Sequence, residues 1–67
     1  MKKNNIKEFR KNSTLRQKDM AKALNISIRQ YSRIENGVSS PDIWTAIRIA
    51  DLLGVKDIRK IWNTQTI

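Results

Sequence analysis

The sequence has no cysteine and no histidine. The first absence removes disulfides, thiolate metal sites and a cysteine nucleophile together. The second takes away a usual zinc ligand and the commonest general base. Acidic residues are also scarce, six against fourteen lysines and arginines. Asp19, Asp42, Asp51 and Asp57 are scattered over cap positions and outer faces, so nothing like a paired-carboxylate site or phosphate loop organises chemistry around them. No turnover, metal or cofactor is expected, and no small-molecule effector is apparent. No apolar run approaches the roughly 20 residues that a bilayer-spanning helix needs, and the polar start MKKNN has no hydrophobic segment behind it. A cytoplasmic protein without a membrane partner is the expectation. Glycine occurs twice and proline once, so Gly37, Pro41 and Gly54 each mark a boundary.

What is present is positive charge on a small body. The 67 residues carry a formal charge of +8, and a chain of this length forms one small domain, 1–67, that buries only about 60% of its unfolded surface. The charge is uneven. Up to Arg33, ten lysines and arginines stand against Glu8 and Asp19, whereas from Ile34 onward four bases face four acids. A polyanionic partner is implied, nucleic acid ahead of a membrane surface.

Hydrophobic spacing predicts helices throughout. Asn5 is placed to cap a first helix with Ile6 and Phe9 inward, preceded by a loose polar start through Asn4; Asn12-Ser13-Thr14 ends it, since short polar side chains compete for backbone hydrogen bonds. Leu15 anchors the connection. A second helix from Gln17 to Leu24 packs Met20, Ala21, Ala23 and Leu24, with small Ala21 at the point of closest approach. Only Asn25, Ile26 and Ser27 separate it from a third helix, Ile28 to Asn36. Asn25 suits a left-handed backbone and Ser27 an N-cap. So tight a connection, over 17–37, outlines a helix-turn-helix. In the third helix Tyr31, Ile34 and the following Val38 face inward. Ile28, Arg29, Ser32, Arg33 and Asn36 then form one outward stripe.

Beyond the third helix, Pro41 and the cap residue Asp42 announce a fourth, apolar around more than one stripe, which Gly54 ends. Asp57 opens a last short helix with Ile58, Ile61 and Trp62. The tail 63–67 carries no helical pattern, and a frayed end is expected there.

Taken together, the segments Leu15-Arg16-Gln17, Met20-Ala21, Leu24-Asn25-Ile26-Ser27, Ile34-Glu35-Asn36-Gly37, Pro41 and Ile49-Ala50 with Leu53-Gly54-Val55 resemble the Cro and lambda-repressor-like (XRE-type) helix-turn-helix family of transcription regulators. The resemblance covers about Asn5 to Trp62. It implies an all-α, compact five-helix DNA-binding domain, with the second and third helices as the DNA-binding unit. It also implies that Gln17 touches a phosphate or base edge, that Ser27, Ile28, Arg29 and Arg33 face the groove, and that Ser32 and Asn36 lie nearer the backbone. Arg10 and Glu35 match a structural ion pair between the first and third helices. Two residues depart from the pattern, and around Lys56 and Asp57 the last helix begins one residue later than is common. Asn25 replaces a common glycine, and Ile28 replaces a residue that is often polar, which weakens the case for hydrogen-bonded readout at that position.

The chemistry of the side chains agrees. Arg29 or Arg33 can pair bidentately with guanine and Ile28 can meet a thymine methyl, while Arg16, Lys18 and Lys22 supply attraction to phosphates. Trp44 and Trp62 are large for the surface of so small a domain, and they are expected at a homodimer interface. The leading expectation is a regulator of the repressor type, binding palindromic double-stranded DNA as a homodimer. The alternative is a protein-interaction module, such as an antitoxin or adaptor, favoured by the surplus of apolar residues in the fourth helix.

Overall fold

The computed structural model describes residues 4–62. Four α-helices follow one another: α1 (Ile6–Lys11), α2 (Gln17–Leu24), α3 (Ile28–Glu35) and α4 (Ile43–Leu53), and a single 3-10 turn (Ile58–Lys60) closes the series. The expectations for 1–3 and for the 63–67 tail lie outside the described residues.

The fold is all-α among the described residues, but the fifth helix is a correction. The Asp57 carboxylate accepts the Arg59 N–H at 3.0 Å, only two residues on. Of the bonds that follow, Lys60 N–H to the Asp57 carbonyl and Ile61 N–H to the Ile58 carbonyl span three residues, and only the last, Trp62 N–H to the Ile58 carbonyl, spans four. That pattern closes a 3-10 turn, which rarely runs beyond a few residues.

At the front of the chain Asn4, expected in a loose segment, is buried. Its Oδ1 accepts the Ile6 N–H at 3.0 Å and its Nδ2 donates to the Ile34 carbonyl at 2.9 Å. The capping work therefore falls to Asn4 rather than Asn5, whose side chain makes no cap bond. Asn5 instead ties the front of α1 to the end of the domain, its N–H donating to the Ile61 carbonyl at 2.8 Å and its Nδ2 to the Lys60 carbonyl at 3.1 Å.

The connection from α2 to α3 forms as its residues dictate. Asn25 sits at φ 60°, ψ 42°, the left-handed region, and the Ile26 N–H returns to the Ala21 carbonyl at 3.0 Å. Ser27 Oγ accepts the Gln30 N–H at 3.0 Å while Gln30 Oε1 accepts the Ser27 N–H at 3.1 Å, a reciprocal capping box. Ala21 is buried at the crossing, whereas Ala23, expected to pack, is exposed.

Ile6, Met20, Tyr31, Ile49 and Ile61 are fully buried and draw every element into one core. Val38 does not join them; it is 63% exposed. Gly37, at φ 78°, turns the chain so that the N–H groups of Val38 and Ser39 both fold back onto the Arg33 carbonyl. The valine side chain is carried outward by that turn. In α4 the cap is as expected, with Asp42 accepting the Thr45 N–H at 2.8 Å. Gly54, at φ 72°, ends the helix, and Arg48 Nη2 donates to the Ala23 carbonyl at the end of α2 at 2.8 Å.

Candidate nucleic-acid interface

The relative placement of α1, α2 and α3 rests on one carboxylate. Glu35, whose side chain is fully buried, accepts from Arg10 Nε at 2.7 Å and Nη2 at 3.3 Å, from Tyr31 Oη at 2.9 Å and from Gln17 Nε2 at 3.1 Å. Burial works against its charge. The hydrogen bonds from Arg10, Tyr31 and Gln17 outweigh that penalty and hold the carboxyl below its ordinary range. Burial, and then the bond to Glu35, pushes the Tyr31 phenol up, so it remains a donor. Arg10 Nη1 also reaches the Leu15 carbonyl at 3.3 Å. Each of the three helices or its flank contributes to this buried cluster, which fixes the angle at which α3 is presented.

Two members of the cluster escape sequence reasoning. The Tyr31 hydroxyl was legible only as the apolar ring facing the core; the spacing of four to Glu35 is the signal that finds it. Gln17, expected to touch a phosphate or base edge, donates its amide nitrogen to Glu35. Nothing in the sequence pairs residues 18 positions apart.

On the opposite side of α3, Ile28, Arg29, Arg33 and Asn36 are exposed and Ser32 is half-buried. Ser27 and Gln30, at the start of the helix, are exposed but bonded to each other. Farther along, Asn36 Nδ2 donates to Ser32 Oγ at 3.3 Å and Arg33 Nε to Ser39 Oγ at 3.4 Å. At the start of α2, the Asp19 carboxylate accepts the Arg16 backbone N–H at 2.9 Å and pairs with its guanidinium at 3.3 Å. The backbone bond, and with it the side-chain one, keeps the Asp19 carboxyl low. Lys18 and Lys22 are exposed on the same helix.

The two tryptophans differ. Trp44 is 73% exposed, next to exposed Ile43 and Ile47. Trp62 is half-buried against the core and lines an open apolar groove of about 250 Å³ with Pro41, Ile43, Ala46 and Ile58. Among the described residues no cluster of carboxylates could hold a metal, and no helix is long and apolar enough to cross a membrane.

Two helices joined through a left-handed asparagine, the second capped and presenting a polar, cationic stripe, define a DNA-binding helix-turn-helix. The chain belongs to the Helix-turn-helix family, whose model matches residues 6–60, and within it to the Cro and lambda-repressor-like type. It is accordingly a DNA-binding helix-turn-helix regulator, of a family that is generally not enzymatic. Comparison with curated proteins gave no match.

Proposed function

We propose that the protein is a sequence-specific repressor that binds a palindromic operator in duplex DNA as a homodimer, with α3 in the major groove. The observation that carries this reading is the outward stripe of α3, with two exposed arginines on a helix whose opposite side is pinned by the Glu35 cluster. Arg29 and Arg33 read guanine, a bidentate contact that discriminates by about 1–3 kcal/mol. Arg16, Lys18 and the N-terminus of α2 meet phosphates. Gln17 supports that contact from behind through Glu35, while Ser27, Ser32 and Asn36 serve the helix first and the DNA backbone second.

The second copy docks on Ile43, Trp44 and Ile47, with Trp62 beside them. Charge favours that side, because two copies approaching through the basic half would repel, whereas the half from Ile34 onward is balanced. Two-fold symmetry then sets the recognition helices about 34 Å apart, one turn of DNA. The same apolar surface supports a second reading, a module that docks on another protein.

Salt titration separates them. Binding to a site selected from a random duplex library is expected to weaken steeply with salt, the logarithmic slope gaining about −0.9 per phosphate neutralised. The selected site should bind at least about 10³-fold more tightly than random duplex. A slope near zero, or no preference among sequences, overturns the repressor reading.

A further inference from the structure

α4 carries Trp44 and Ile47 in the open, while its inner residues Ile49 and Ala50 share the core with Met20, Ala21 and Leu24 of α2. Arg48 stands between those two faces, one residue after Ile47 and one helical turn after Trp44. Its Nη2 donates at 2.8 Å to the Ala23 carbonyl, and among the described residues no other hydrogen bond runs from α4 to α2 or α3. The carbonyl it takes is one that the turn leaves over. The N–H groups of Ile26 and Asn25 return to the Ala21 and Lys22 carbonyls, and the Ala23 carbonyl comes next, two residues ahead of the left-handed Asn25. A cation there meets the negative end of the helix dipole as well as the oxygen itself.

The Glu35 cluster fixes α3 against α1 and α2, and none of its bonds reaches α4. What remains to be set is the rotation of α4 against that unit. Apolar burial is non-directional, whereas a hydrogen bond weakens steeply away from its line, so the bond from Arg48 is the contact able to select one rotation. We infer that Arg48 is a positioning residue: by holding the Ala23 carbonyl it fixes the angle between the face of α4 and the helix-turn-helix, and with it the one spacing of half-sites that a dimer docked through α4 accepts. The inference rests on the homodimer of the proposed function and gives Arg48 no contact with DNA.

The test uses the selected operator duplex, the same duplex with one base pair added to or removed from between its half-sites, and a single half-site. One base pair moves a half-site by about 3.4 Å and turns it by about 34° around the axis. The wild-type chain is expected to lose at least about tenfold in affinity at either altered spacing, since linked binding is lost when the geometry forbids it. Arg48→Met, which keeps the length of the stem without the donor, should bind the single half-site as wild type does and sediment as the same dimer, with the spacing penalty reduced to about threefold or less. Arg48→Lys, which keeps one cationic donor for the one carbonyl, should restore most of the penalty. An unchanged spacing penalty in Arg48→Met, equal behaviour of the methionine and lysine variants, a matching loss on the single half-site, or a methionine variant that unfolds or dissociates each overturns the inference and leaves the dimeric repressor standing. If the wild-type chain gains nothing from a second half-site, the homodimer itself fails and takes the inference with it.

Discussion

Glu35 is a buried carboxylate in a chain with fourteen cations, yet its partners are Arg10, Tyr31 and Gln17, all from inside the bundle. Its folded-state carboxyl lies below the ordinary value of 4.5, because the three donors outweigh the penalty of burial. The stabilisation is therefore complete above that value and is lost as pH falls through the lower folded-state value. Melting temperature should be level from pH 8 to about 5 and drop below that, the chain having no histidine to titrate in between. Glu35→Gln is expected to destabilise the domain by about 3 kcal/mol at neutral pH, leaving Arg10 without its counter-charge. The acid limb of its melting curve should be shallower but not gone, since Asp19, Asp42 and Asp57 are also held low by their hydrogen bonds. Circular dichroism melts between pH 3 and 8 measure both. An unchanged acid limb would remove Glu35 from the account.

Among the helices, those with strong local signals formed where their residues placed them. Asn25, Ser27, Asp42 and Gly54 act within four residues of themselves, through a left-handed backbone or a cap, so the sequence carries them openly. Val38 and Ala23 were misread for the opposite reason: spacing assigns a side to a residue only while the helix continues and only against a neighbour that spacing does not name. Gly37 breaks the first condition and turns Val38 outward. Ile28, Arg29 and Arg33 on α3 met both conditions, and their exposure followed. Arg33→Ala should thus weaken binding to the selected site by about 5- to 150-fold, the range of one guanine contact, with a melting temperature close to wild type. A variant that unfolds would mean that the arginine stem, or its bond to Ser39, supports the fold instead.

At the scale of the molecule the charge is divided along the chain, basic through Arg33 and balanced from Ile34 onward, and the later part carries Ile43, Trp44 and Ile47 in the open. Sedimentation should show Trp44→Ser shifted from dimer to monomer, and its affinity for the full palindrome should fall more than about tenfold while a single half-site is bound as before, because linked binding of two sites is what the dimer adds. Equal loss on both duplexes would place Trp44 at the DNA rather than at a second copy. The sequence by itself determined α1 to α4, the caps Ser27 and Asp42 and the exposed Ile28, Arg29 and Arg33, for these depend on residues close in the chain and on period. Only the tertiary structure decided that Gln17 faces Glu35, that Asn4 is buried with its amide on the Ile34 carbonyl, and that Trp62 packs inward while Trp44 does not. Those contacts join residues far apart in the chain, and their energies exist only once the helices have met.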